Sequence, residues 1–259
     1  MSRIITLTTD FGIADGFVGV MKGVILGINP TVTIVDITHD IVPQNIEQGA
    51  FVFANSFKYF PANSIHVVVV DPGVGSARRP IAAQIGETIF VAPDNGVLSS
   101  VLRPSSSVVH LTKPEYWLPH VSHTFHGRDI FAPVAAHLSL GVPLETLGAP
   151  ISDWVRLSQC AASWRAGNEI VGRVAHIDRF GNIVTNIGEE MLAAMDRARV
   201  DVTIRGKTLT GIKSTYSMVG EGEPLELISS SGHVEIAVRN GNAARMLNAQ
   251  VGDEITIVN

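Results

Sequence analysis

Five short stretches of this chain hold residue types suited to acid–base chemistry or ligand binding. The most informative is Val67 to Arg79, VVVVDPGVGSARR. Four valines in a row read as a strand buried on both faces, and Asp71 sits where that strand ends. Pro72, Gly73 and Gly75 bend the chain, and Arg78 and Arg79 follow. Open α/β sheets gather ligands at the carboxyl ends of such strands. A carboxylate there can take a proton while a guanidinium stabilises developing negative charge. The same pair can also serve only as an ion pair that fixes the loop.

The second stretch is Thr8-Thr9-Asp10-Phe11-Gly12, followed by Asp15. A carboxylate after the first strand suits a vicinal diol, because its two oxygens accept two hydroxyl protons. Asp15 reads either as a helix N-cap or as a ligand contact. The third is Ser122 to Asp129, SHTFHGRD, where His126 precedes a helix expected to begin near Ile130. A helix start offers free N–H groups and a positive end, both useful against an anion. His66, His137 and His176 read as structural. The fourth is the turn HIDRFGNIVTN, with Asp178, Phe180 and Asn182. Phe180 there can stack on a nucleobase, or the turn can be a plain hairpin. The fifth, Ser229 to Glu235 and then Arg239-Asn240-Gly241-Asn242, reads as a polar hairpin. Neither G-x-G-x-x-G nor the P-loop pattern occurs, and no H-E-x-x-H or paired-histidine spacing favours a metal.

The elements that must position these residues change character along the chain. Strands are expected at Ile4–Thr8, Thr31–Asp36, Ile65–Val70 and Val108–Leu111, with a hairpin from Ile81–Ile85 and Ile89–Ala92 around Gly86-Glu87. Helices are expected over Phe17–Ile28, ended by Asn29-Pro30, and from an Asn45 cap to about Phe57, with Gln48 completing a capping box. A third is expected over Ile130–Leu140, capped by Asp129, with Pro133 tolerated in its first turn. Strands alternating with helices predict a mostly parallel sheet covered on both faces. From Glu169 onward seven short strands separated by turn signals predict a smaller, barrel-like all-β domain. The expected organisation is an α/β domain over 1–150, a linker over 151–168 and a β domain over 169–259.

Composition narrows the function classes. The chain has 259 residues, 46% hydrophobic and 17% charged, with a net charge of -5, which argues against nucleic acid or an anionic membrane as partner. A single cysteine, Cys160, excludes an internal disulfide framework and a cysteine-based zinc cluster. Arg3-Ile4-Ile5-Thr6 reads as a strand rather than a signal peptide, and no apolar run is long enough to span a bilayer, so a cytoplasmic protein is expected. The low charge reads either as surface covered by other subunits or as a plain apolar surface.

Seven segments together resemble one family. TTDFGIADGFVGVMKG, ITHDIVPQNIEQGA, VVDPGVGSARRP, FVAPDNGVLS, TFHGRDIFAPVAAHL, HIDRFGNIVTNI and SSGHVEIAVRNGNAA resemble, in that order, the S-adenosyl-L-methionine (SAM) hydroxide adenosyltransferases, or SAM hydrolases, relatives of the fluorinase and chlorinase. The resemblance runs from about Ile4 to Val258. It implies an N-terminal α/β domain, a C-terminal β-barrel, no metal or organic cofactor, and a homotrimer whose sites lie between one subunit's N-terminal domain and a neighbour's C-terminal domain. It implies hydrolysis of SAM to adenosine and L-methionine by attack of water at ribose C5′. It assigns Asp71, Arg78 and His126 to the nucleophilic water, Asp10 to the ribose hydroxyls, and Asp15 to the methionine amino group. Phe180 and Asn182 match residues around the adenine, Asp178 one at the methionine end, and Ser230, Ser231 and Glu235 the last ligand-lining segment.

Three departures separate this chain from the halogenating branch. Fluorinases carry Tyr-Pro-Ala-Thr-Gly where this chain has Asp71-Pro72-Gly73-Val74-Gly75. Asp71 would repel a halide. Fluorinases and chlorinases lack the histidine found here at His126, and the fluorinase's extra loop is absent. A SAM-dependent halogenase and a non-catalytic SAM or adenosine binder stand as the alternatives.

Overall fold

A computed structural model describes residues 3–157, 162–166 and 168–259. Cys160 lies outside the described residues, as does part of the expected linker. The chain divides into two compact units, Met1–Leu157 and Ser158–Asn259. Among the described residues no helix is long and apolar enough to cross a membrane.

The first unit is built on a seven-stranded sheet of β1 (Ile4–Thr9), β2 (Thr33–Thr38), β3 (Ile65–Val69), β4 (Pro80–Ile85), β5 (Thr88–Pro93), β6 (Ser107–Leu111) and β7 (Gly148–Pro150). Their order is β2-β1-β3-β5-β4-β6-β7. The β1–β2, β1–β3 and β3–β5 pairs are parallel, and the β4–β5, β4–β6 and β6–β7 pairs antiparallel. Five of the seven strands therefore run one way, so the sheet is mostly parallel. β3 is buried at all five positions, as its valines require in a sheet covered on both faces.

Two apolar layers provide that cover. Helix α1 (Phe17–Ile28) and helix α3 (Ala132–Ser139) place Met21, Ile25, Val134 and Leu138 against Leu7, Val67 and Val69. On the other face helix α2 (Ile46–Ser56) buries Phe53 against Val68, Val70 and Phe90. Alternation along β3 sends odd positions to one layer and even positions to the other. Ile151 and Trp154 also pack into the second layer.

Local signals explain most boundaries and the structure corrects others. Asn45 caps α2, accepting from Gln48 N at 2.9 Å. Gln48 does not close the expected capping box: its Oε1 accepts from Val42 N at 2.8 Å and ties down the preceding loop. α1 is capped by Gly16 rather than Asp15, without a side-chain bond. Asp129 is not a helix cap either. It lies inside a π-helical turn, Gly127–Phe131, that precedes α3, because its carboxylate turns back to Ser122.

The named strands of the second unit pair antiparallel throughout, and a short helix, α4 (Ala243–Leu247), accompanies them. Its strands are β8 (Ser163–Arg165), β9 (Glu169–Ile177), β10 (Ile183–Gly188), β11 (Asp201–Ile204), β12 (Lys207–Thr210), β13 (Pro224–Ile228), β14 (His233–Val238) and β15 (Glu254–Val258). The order is β12-β11-β15-β9-β10-β14-β13, with β8 on β9. Ile170, Val174, Ile236, Ile255 and Ile257 meet inside a nearly closed, barrel-like core.

Candidate active site

β1 and β3 leave the sheet side by side, with Thr9 paired to Val69. From β1 the chain runs through α1 on one face to β2, and then through α2 on the other face back to β3. That makes the β1/β3 boundary the switch point of the sheet, where a crevice opens beyond the strand ends. Asp10 follows β1 directly, and Asp71 follows Val70 just past β3.

Asp71, Arg78 and His126 meet there. Arg78 Nε donates to Asp71 Oδ1 at 3.0 Å, and Arg78 Nη2 donates to Asp71 Oδ2, forming a two-pronged bond. Arg78 Nη2 also lies 3.0 Å from His126 Nδ1. A guanidinium can only donate, so Nδ1 is the acceptor and the neutral ring carries its proton on Nε2. The Asp71 and Arg78 side chains are each 5% exposed. The guanidinium carbon lies 5.5 Å from the centre of the buried Phe131 ring, a cation–π contact that holds its plane. Arg78 Nη1 is buried and has no hydrogen-bond partner among the described residues.

The electrostatics oppose each other. Burial pushes the Asp71 carboxyl above its usual pKa, outweighing attraction from Arg78 and His126. Burial and repulsion from Arg78 hold His126 below the ordinary imidazole value, against Asp71 and Asp129. A carboxyl with a raised pKa thus shares Arg78 with a neutral imidazole whose proton sits on Nε2.

Two loops bring these residues together. Gly75 has φ +76°, and a Cβ there would drive into the carbonyl oxygen of His123, so only glycine lets the 71–79 loop lie against the strand of chain leading to His126. That chain is tied by Asp129, whose Oδ2 accepts from Ser122 N and Ser122 Oγ, both at 2.8 Å. Ser122 Oγ in turn accepts from Phe125 N at 3.1 Å. Burial works against the Asp129 charge, but bonds from Arg128 and Ser122 hold its pKa below the usual carboxylate range. Gly75→Ala is expected to cost about 1–3 kcal/mol of stability and about ten-fold or more in turnover, since both strain and clash fall on this contact. Thermal melts and initial rates check it; an unchanged melt would mean the two loops are not in close contact.

Asp10 is held by its own loop. Its Oδ2 accepts from Gln44 N at 2.7 Å, where Gln44 has a φ of 69°. Thr9 Oγ1 accepts from Phe11 N at 3.2 Å and lies 2.9 Å from His39 Nδ1. His39 Nε2 makes a short, off-axis contact of 3.1 Å to Asp36 Oδ1, and Lys22 Nζ donates to Asp36 Oδ2 at 2.6 Å. Asp15 is exposed in the bend before α1.

The second unit carries its own polar cluster. Asp178 Oδ1 accepts from Phe180 N at 2.9 Å and Asn182 N at 2.8 Å, while Oδ2 accepts from Asn182 Nδ2 at 2.9 Å. Three bonds make this carboxylate the organiser of the turn, and the turn leaves Phe180 76% exposed. Phe180 and Asn182 line an open cleft of about 550 Å³ with Tyr216 and Arg239. Tyr216 Oη donates to Glu235 Oε1 at 2.8 Å. Burial raises the Glu235 pKa; burial together with that bond pushes the Tyr216 phenol up to about 12. Ser231 Oγ lies 2.8 Å from Ser229 Oγ and 3.1 Å from His233 Nδ1, and Ser230 is exposed beside them.

Tyr216 and His39 escaped the reading of residue types. Tyr216 sits in an aperiodic stretch with no motif, so nothing local marks it. His39 stands in the ITHD segment, and only the fold shows that it meets Thr9. Among the described residues no group of three or more His, Cys, Asp or Glu is placed to hold a metal ion.

An open α/β sheet with an Asp–Arg–His cluster at its switch point, and in the same chain a barrel-like unit with an aromatic-lined cleft, are features of an enzyme that acts on a small molecule. The description SAM hydroxide adenosyltransferase N-terminal domain fits residues 5–148, and its C-terminal counterpart fits residues 172–256. The chain belongs to the SAM hydroxide adenosyltransferase family. It is 38% identical to the (R)-S-adenosyl-L-methionine hydrolase of Salinispora tropica, over 98% of this chain and 97% of that protein. The Methanocaldococcus jannaschii protein of the same name is 36% identical, over 98% and 95%. A fluorinase from Nocardia brasiliensis is more distant, 28% identical over 98% of this chain and 96% of its own. The crystal structure of a conserved protein from Thermotoga maritima superposes with a TM-score of 0.92 at 37% identity, covering 98% of this chain and 100% of that one.

Proposed function

We propose that this chain hydrolyses S-adenosyl-L-methionine to adenosine and L-methionine. The single observation that carries the reading is the cluster of Asp71, Arg78 and His126 at the switch point, with the Asp71 and Arg78 side chains buried. Water must lose a proton to act as a nucleophile, and its pKa of about 15.7 makes that unfavourable without help. Asp71 takes the proton as the oxygen–C5′ bond forms and the C5′–sulfur bond breaks. The electron pair goes to sulfur, so methionine leaves as a neutral thioether and needs no general acid. Arg78 Nη1, unpartnered and buried, is the group we assign to the developing hydroxide-like charge. His126 Nε2–H orients the same oxygen.

Asp10 is assigned to the ribose hydroxyls through the oxygen not used by Gln44, and Asp15 to the methionine amino group. Phe180 and Asn182 are assigned to the adenine, Asp178 to the methionine end, and Ser230, Ser231 and Glu235 to the remaining ligand contacts. The relatives are named for the (R)-S epimer, and we take that epimer as the substrate. The reading includes a cytoplasmic homotrimer with sites at subunit interfaces. Family resemblance supports it, as does the exposed apolar set Ile13, Phe17, Val20 and Leu26 on and beside α1.

Incubation with separated SAM epimers, followed by chromatography, tests the function. Adenosine and methionine in equal amounts are expected, from the (R) epimer. A 5′-halogenated adenosine formed with chloride or fluoride, or SAM left intact despite binding, would overturn the proposal.

A further inference from the structure

Arg79 stands next to Arg78 but serves another set of partners. Its Nε and Nη2 donate to Asp94 Oδ2 at 2.8 and 2.6 Å. Its Nη1 donates to Asp153 Oδ1 at 2.9 Å, and Nη2 also donates to the Asp153 carbonyl at 3.0 Å. The Asp94 side chain is 2% exposed, and its other oxygen accepts from Val155 N at 2.8 Å. The backbone is joined as well, with Asp94 N donating to Arg79 O at 2.9 Å.

The next residue does the same work at the other end of the loop. Asn95 Nδ2 donates to Val70 O at 2.8 Å, and Asn95 Oδ1 accepts from Val97 N at 3.1 Å. Val70 is the residue before Asp71, and Arg79 is the residue after Arg78. The Asp94-Asn95 pair at the end of β5 therefore fastens both ends of the loop that carries Asp71 and Arg78. The loop between them holds two glycines, Gly73 and Gly75, so its own stiffness is low.

We propose that Asp94, Asn95 and Arg79 are positioning residues for the hydrolytic cluster, setting the distance between Asp71 and Arg78 without touching the substrate. The inference rests on the assignment of Asp71 and Arg78 to water activation. Displacing reacting groups by about 1 Å can cost about 10²-fold in rate, so a clamp on both loop ends has a large lever. Binding contacts lie elsewhere, so the loss falls on kcat.

The test is a kinetic comparison of Asp94→Asn, Asn95→Ala and Arg79→Lys with the natural protein, using SAM. Each variant is expected to lower kcat by about 10-fold to 10²-fold while KM moves by less than about three-fold. The groups facing Asp71 that carry or can take a charge are Arg78, a fixed cation, and His126, which is titratable and neutral. Once Arg78 is no longer held against it, Asp71 loses its strongest counter-charge, and the acid limb of the kcat–pH profile shifts to higher pH. Val202→Ala, in the buried core of the second unit, controls for stability alone: it lowers the melting temperature and leaves the acid limb in place. If Asp94→Asn does not fold, Arg79→Lys, which keeps the charge but not the fork, carries the test. Unchanged kcat in the folded variants, or a loss with an unmoved acid limb, would overturn the inference. A fully active Arg78→Met would instead overturn the cluster assignment on which it rests.

Discussion

Arg78→Met is expected to lower kcat by about 10²–10³-fold while changing SAM affinity much less. The argument starts from the count of donors. A guanidinium has five N–H bonds. Nε uses one on Asp71 and Nη2 uses two, on Asp71 and His126. The two on Nη1 have no partner among the described residues, although the atom is buried. Methionine keeps much of the volume against Phe131 and removes every donor. Arg78→Lys keeps the charge but cannot fork to Asp71 and reach His126 together, so little rescue is expected. Removing one partner of a buried pair also destabilises, by about 3–5 kcal/mol, so rates belong well below each variant's melting temperature. Equal losses in kcat and in SAM affinity would show that Arg78 binds substrate rather than serving the nucleophile.

The second large effect falls on Asp71. Asp71→Asn preserves shape and removes the base, and kcat is expected to fall by about 10²–10⁴-fold. His126→Gln is expected to cost less. His126 Nδ1 already accepts from Arg78, and its Nε2 carries a proton, so the ring has no free lone pair for the water. The pH dependence follows with a definite sign. Protonated Asp71 cannot act as a base, so turnover falls as pH drops through its raised pKa. Protonated His126 would repel Arg78; its lowered pKa keeps it neutral to more acidic pH. Asp71 therefore sets the acid limb, and neither group produces a loss as pH rises above neutrality. The acid limb should vanish in Asp71→Asn. An acid limb that persists there and vanishes in His126→Gln would transfer the base role to the histidine.

The parts of the molecule legible in the sequence are those governed by local rules. α1 begins and ends where Phe17 spacing and Asn29-Pro30 place it. β9 and β15 alternate buried with less buried positions over most of their length, the period of a strand with one face in a core. β2 begins two residues later than expected, because Asn29 Oδ1 accepts from Thr31 N and Oγ1 and holds the chain in a turn before it pairs with β1. β7 and β8, each three residues long, and the short α4 carry too few residues for a period. The π-helical turn was illegible for a different reason: it depends on Asp129 reaching Ser122, seven residues away.

The site divides in the same way. Spacing alone left Asp71 and Arg78 open between an ion pair and a reactive pair, and the structure makes them an ion pair that also holds a histidine. His126 lies 48 residues from Arg78 in sequence, and the contact depends on Gly75 lying against His123. Residue types proposed Asp71 with Arg78 as one pair and His126 apart from it. Only the family resemblance grouped them, and only the fold gives the distances. The Asp178 turn reverses the emphasis, since its carboxylate is committed first to its own backbone.

The two margins of the first unit's sheet bear on how copies of this chain can meet. At one margin β7 is three residues long and ends in Pro150, which has no N–H to offer. At the other, β2 carries Asp36, held in a charged contact with Lys22. Short length, proline and charge are the devices that keep a sheet from zipping onto a neighbour. Strand addition is thus discouraged at both ends, and any assembly of copies through this unit must use helix and loop surfaces, leaving its strand ladder as an unextended, self-contained platform.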